Sequence, residues 1–200
     1  MGRLSGPEGG KGMSITPAGT EIHYSVTWLE MTERPSYGWP NQPSGAPASL
    51  LKAEKPPVWY FLDLYDAVGR DYAWEDMHDR DEAELADWLE HPETALYTLI
   101  RDGWPHGFVL LDHRKRARCN IAYFGLVPQA IGQGLGRFLL QNAVLTAWDL
   151  PGVEKVTVNT STLDHPRALQ NYQRCGFTPV RRSDHTRVLR RPLDASRIPD

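Results

Sequence analysis

Between Arg118 and Thr160 the chain leaves itself few ways to fold. Arg118–Val127 (RCNIAYFGLV) is rich in β-branched and aromatic residues and reads as a strand. A turn with Gly132, Gly134 and Gly136 follows at once, and Gln133–Trp148 then carries Leu135, Phe138, Leu139, Val144, Ala147 and Trp148 near helical spacing. Val153–Thr160 (VEKVTVNT) alternates as a returning strand should. A strand delivered straight into a buried helix and back again predicts a β-α-β crossover. The turn has a chemical meaning as well. Glycines let the backbone approach an anion, and the N–H groups of the first helical turn point outward at the positive end of the helix dipole. The expected ligand is a phosphate or pyrophosphate.

Spacing separates the families that use such a turn. A Walker loop needs Lys and Ser/Thr after the glycines, but Gly136 is followed by Arg137 and Phe138. A dinucleotide fingerprint runs G-x-G-x-x-G with an acidic residue ending the next strand, and neither is present. The alternating glycines alone also fit a turn that only packs helix on strand.

Upstream, residues 1–19 are rich in Gly, Pro and Ser without a period and read as a flexible arm before a single domain, 20–200. Glu21–Thr32 is a first strand, and Pro35–Pro57 a long surface loop. Val58–Val68 is a helix stopped by Gly69, and Asp79–Glu90 a second one, capped by Asp79 with Glu82 completing a capping box. Ala95–Arg101 and Gly107–Asp112 form a hairpin through Asp102-Gly103. Pro166–Cys175 is a short helix, after which Phe177–Arg182 and Thr186–Arg191 close the chain as a strand pair. The fold class is α/β (α+β): a mixed, mostly antiparallel central sheet with flanking helices.

A net charge of −3 argues against nucleic-acid binding. No run approaches the roughly 18 apolar residues of a membrane span, and no apolar h-region follows Met1, so a cytoplasmic protein off the membrane is expected. Cys119 and Cys175 read as reduced thiols, and no metal site is visible. Charge is uneven: Glu75–Glu93 is acidic, whereas Arg181, Arg182, Arg187, Arg190 and Arg191 crowd the C-terminal stretch. Such runs are solvated faces, or rims that attract a cationic amine and an anionic cofactor.

Ile131–Gly136 resembles the acetyl-CoA loop of the GNAT superfamily of N-acetyltransferases, written Gln/Arg-x-x-Gly-x-Gly/Ala. Ala168-Leu-Gln-Asn-Tyr172-Gln-Arg-Cys-Gly176-Phe177 is similar to that family's second signature, and the two flank Val153–Thr160 as the family requires. The resemblance covers roughly 109–191 and implies acetyl-CoA as cosubstrate, without metal, and direct attack of a primary amine on the thioester. It places the phosphates on the amides of Gly132, Gln133, Gly134, Leu135, Gly136 and Arg137, and pairs the pantetheine arm with Leu126 and Val127, one of whose N–H groups polarises the thioester carbonyl. Ile131 stands where the family has Gln or Arg, a contact that Arg137 or main chain would replace. Tyr172 occupies the general-acid position, the alternative being a core tyrosine. For the base, Glu30 is the first candidate and His165 the second. The alternatives are a surface carboxylate and a helix-start residue bonded to backbone. Trp59, Tyr60 and Tyr65 would wall the acceptor side or simply fill the core. The acceptor is a small-molecule or peptide amine, and a homodimer is the default assembly. Two other readings stay open: a non-catalytic acyl-CoA sensor or scaffold, suggested by Ile131, and a cofactor-free interaction domain.

Overall fold

The computed structural model of the protein describes residues 15–198. Seven strands form the main sheet: β2 (Glu21–Met31), β3 (Ala48–Ala53), β4 (Thr94–Arg101), β5 (Trp104–Lys115), β6 (Arg118–Leu126), β7 (Lys155–Ser161) and β8 (Thr178–Val188). Their spatial order is β3-β4-β5-β6-β7-β2-β8. Every neighbouring pair is antiparallel except β6 and β7, which the helix α3 (Leu135–Asp149) joins as the parallel crossover. This is the expected mixed, mostly antiparallel sheet. Helices α1 (Val58–Gly69), α2 (Glu82–Glu90) and α4 (Ala168–Arg174) complete the layers, and a short strand β1 (Ile15–Thr16) pairs with β9 (Leu193–Asp194). Residues 1–14 of the expected arm lie outside the described residues, while Ile15–Thr16 belongs to that strand pair.

Burial follows from composition. Gly107–Leu111 of β5 is buried throughout, so both faces of this interior strand are covered and its side chains need no polar alternation. Asp102 and Gly103 both have positive φ (52° and 83°), the backbone a two-residue hairpin demands. Phe61 of α1 is fully buried among Tyr65, Trp88, Phe108 and Tyr123, with ring centroids 5.8–6.2 Å away, and so bolts α1 and α2 to β5 and β6.

Four expectations are corrected. The span 35–57 is not all loop: Ala48–Ala53 adds edge strand β3, which its flanking prolines hide. Gly69 is the last residue of α1 but does not end the helical path, which continues as a 3-10 turn at Arg70–Tyr72. The C-terminal strand pair is one strand, β8, laid along β2 from Glu30↔Thr178 to Glu21↔Val188. Asp79 lies in a 3-10 turn and pairs with Arg190, and the cap of α2 is Asp81, which accepts from the N–H groups of Ala83 (2.9 Å) and Glu84 (3.2 Å). Asp81→Ala is accordingly expected to cost about 1 kcal/mol in chemical denaturation, and Asp79→Ala, at an exposed ion pair, well under that.

Candidate active site

The site begins with a break in the sheet. Pairing of β6 with β7 lasts from Arg118↔Lys155 to Ile121↔Val158 and then stops, although both strands continue. The cause is visible on the other edge of β6. Leu110 opposes Tyr123 and Leu111 opposes Ile121, so Ala122 is an extra residue, a bulge that bends β6 away from β7 where their ladder ends. The gap opens into a cleft of about 570 Å³.

Backbone groups that would have joined the two strands now face this cleft. Val127 N–H donates to His106 O (3.0 Å) on the β5 side, next to the Gly107↔Leu126 pair. By the alternation of an antiparallel ladder, the N–H and C=O of Phe124 and Leu126 face the gap. Of the two expected main-chain contacts, Leu126 therefore offers an amide to the cleft and Val127 does not.

Past β6 the chain makes a 3-10 turn at Pro128–Ala130 and enters the glycine loop. Gly132 (φ 82°) and Gly134 (φ 75°) are left-handed, and a Cβ on either would meet open space, so what excludes other residues is backbone strain. Gly134 is the N-cap of α3 and carries no capping side chain, and the first helical turn holds no acidic residue. The first intrahelical bond is Phe138 N–H to Gly134 O (3.5 Å), so the N–H groups of Leu135, Gly136 and Arg137 have no carbonyl a turn earlier to receive them. Ile131, Gly132, Gly134, Gly136 and Arg137 line the cleft. Gln133 does not. Its side-chain N–H donates to Gln129 O (2.8 Å), and its carbonyl lies 3.5 Å from Arg101. These open amides and the bare helix start fit the phosphates of a coenzyme A-type ligand.

Across the gap, α4 presents Tyr172, packed between Phe124 of β6 and Phe177 (both 6.0 Å between centroids) and lining the cleft. Phe177 N–H closes the helix onto Tyr172 O (3.1 Å). Burial pushes the Tyr172 phenol far above its ordinary value, with Asp164 and Cys175 adding repulsion, so the group stays protonated.

The far end of the cleft is an aromatic wall of Tyr65, Tyr72, Trp74, Tyr123 and Tyr24, with Asp76 and Arg187. Burial raises Tyr65 and Tyr72 to about 12. Trp59 and Tyr60, expected on this wall, instead face a separate groove, and Tyr60 bonds to Thr98 (2.8 Å). The uneven charge of the sequence is explained here. Arg187 holds Ala73 O (3.0 Å), Glu75 (3.3 Å) and Asp76 (3.1 Å), Arg191 holds Trp74 O (2.7 Å), and Arg190 pairs with Asp79, so the basic stretch clamps the acidic one into the wall.

Neither expected base is poised for that role. Glu30 is not among the cleft residues, and its carboxylate is 3.0 Å from Lys155 Nζ, an ion pair on the sheet. His165 does line the cleft, but its Nδ1 accepts the Arg167 N–H (3.1 Å) at the start of α4. That bond leaves the neutral ring with its proton on Nε2, a donor into its surroundings. Sequence reading missed Asp164, whose carboxylate takes the Ser161 N–H (2.7 Å), the Thr160 hydroxyl (2.8 Å) and the Trp74 indole (3.1 Å), tying the end of β7 to the aromatic wall. Its only sequence signal was its place just ahead of His165. Among the described residues no helix is long and apolar enough to cross a membrane, and no group of three or more His, Cys, Asp or Glu could hold a metal ion.

A sequence profile of the acetyltransferase (GNAT) family matches residues 61–177, more than half of the chain. No curated protein matches it. Among solved structures, the chain is similar to a GCN5-related N-acetyltransferase from Sphaerobacter thermophilus (TM-score 0.60, 18% identity, covering 91% of this chain and 55% of that one). It is also similar to one from Kribbella flavida (0.54, 17%, 86% and 58%). A third similar structure is an aminoglycoside acetyltransferase from an uncultured soil metagenomic sample, in complex with sisomicin (0.52, 13%, 64% and 87%). At these identities the likeness is one of fold. The chain spans a little over half the length of the Sphaerobacter and Kribbella proteins.

Proposed function

The chain belongs to the acetyltransferase (GNAT) family, and from that premise we propose that it is an acetyl-CoA-dependent N-acetyltransferase that moves the acetyl group to a primary amine by direct attack. The observation that carries this reading is the coincidence, in one cleft, of a bare helix start, an unpaired strand edge and a protonated phenol. Acetyl-CoA supplies the acetyl group as a thioester, and every remaining task falls to this chain.

The amides of Leu135 to Arg137 hold the phosphates, with Arg137 beside them, and the open edge of β6 takes the pantetheine arm as a further strand. The Leu126 N–H polarises the thioester carbonyl. The amine nitrogen bonds to the carbonyl carbon, the carbon–sulfur bond breaks, Tyr172 delivers its proton to the departing sulfur, and the proton shed by the acylated nitrogen returns through water to the Tyr172 oxygen. The amine must first lose a proton, and with Glu30 and His165 otherwise engaged, water along the aromatic wall carries it past Asp76. That carboxylate spends one oxygen on Arg187 and leaves the other for solvent or a cationic amine.

The test is release of free thiol from acetyl-CoA with purified protein and a panel of small amines, aminosugars and peptides. Turnover with at least one amine class is expected. Asp76→Asn is expected to lower kcat/KM for cationic amines about tenfold while leaving the affinity for coenzyme A within twofold. Tight coenzyme A binding with no turnover on any acceptor would replace this reading with that of an acyl-CoA-binding module.

A further inference from the structure

The last residue of β4, Arg101, is 6% exposed, and none of the ion pairs among the described residues includes it. Its guanidinium has neutral oxygens for company. Nη2 donates to Ser44 O (2.7 Å), Nη1 makes a long contact to the Gln133 side-chain oxygen (3.5 Å), and Nε is buried without a partner. Gly45 accommodates it: a Cβ there would lie 2.3 Å from Nη2, and φ of +92° disfavours any other residue. The segment around Ser44 thus wraps a charge whose other neighbour is the middle of the glycine loop.

Burying a charge without a counterion costs several kcal/mol, so buried arginines are as a rule paired. The side-chain contact of Arg101, Gln133, belongs to the loop that leads into α3, whose first N–H groups lack acceptors and whose first turn has no carboxylate. Ile131, which lines the cleft just ahead of the loop's glycines, is apolar and brings no charge to the loop. We propose that Arg101 is a positioning residue behind the anion cradle. It holds Gln133 in place and supplies from beneath the loop the positive potential that Ile131 does not. The ligand it serves is the phosphate-bearing end of the coenzyme, a diphosphate or phosphomonoester. This inference rests on the coenzyme reading above and deepens it.

The experiment compares Arg101→Lys with Arg101→Gln, which differ in charge and share a polar tip, by calorimetric titration with coenzyme A at two ionic strengths. Arg101→Gln is expected to weaken binding about tenfold, the order for losing one unit charge close to an anion in a partly screened interior. It should also flatten the salt dependence of the dissociation constant, whereas Arg101→Lys stays within about threefold of the parent and keeps its slope. Melting temperatures of both variants report folding separately. Equal affinities in the two variants, or an unaltered salt slope in Arg101→Gln, overturn the proposal. If Arg101→Gln does not fold, a tenfold loss in Arg101→Lys overturns it by itself. Failure of the parent protein to bind coenzyme A at all instead removes the underlying coenzyme reading.

Discussion

Replacing Tyr172 by Phe is expected to lower kcat about a hundredfold while the dissociation constant for coenzyme A moves less than twofold. The ring is held on both sides by Phe124 and Phe177, and Phe keeps all of that packing, so the only group lost is the hydroxyl. Positioned proton donors contribute roughly 10²–10⁴-fold, and the lower figure suits a thiolate that water can also protonate. Because burial raises the Tyr172 pKa, the donor form persists as pH rises, and Tyr172 imposes no fall in rate between pH 7 and its ordinary pKa of about 10. In Tyr172→Phe the remaining rate should instead fall with rising pH, as water or buffer acid takes over. Stopped-flow thiol detection across pH reads both effects. A kcat within threefold of the parent would reduce Tyr172 to a core residue.

Phe61→Ala carries the largest expected loss of stability, about 3–5 kcal/mol, because a fully buried aromatic ring in contact with two helices and two strands leaves a cavity that none of them can fill alone. For a chain of this size that corresponds to a melting temperature lower by roughly 10 °C. The consequence for function is directional. Tyr65 and Tyr123, which rest on Phe61, also belong to the aromatic wall of the cleft proposed for the amine, whereas the glycine loop makes no ring contact with it. Below its melting temperature, Phe61→Ala should raise KM for the amine several-fold and leave coenzyme A affinity near the parent value. A melting temperature within 3 °C of the parent contradicts the idea that this ring joins the helical layer to the sheet.

What could be read from the residues was whatever short-range physics dictates. The alternation of Val153–Thr160, the apolar stripe of Gln133–Trp148 and the Asp102-Gly103 turn each lie within one or two periods of their own element, and each reappears in the structure. Errors arose where the deciding partner was distant. Asp79 and Asp81 are equally good caps as isolated residues, and Arg190, 111 residues away, takes the first. Ala48–Ala53 is a strand because β4 offers it an edge, and β8 is one continuous strand because β2 spans its whole length.

The site divides along the same line. The sequence by itself determined the crossover, the uncapped helix start after the glycine loop and the family to which both belong, since glycine spacing and helix polarity are local properties of the backbone. Only the tertiary structure decided which groups face the gap. The bulge at Ala122, the ion pair that withdraws Glu30, the backbone bond that occupies His165 and the burial of Arg101 behind Gln133 all depend on what a neighbouring strand or loop presents. A side chain's identity sets the chemistry it can perform, but only its neighbours set its direction, solvation and charge partner.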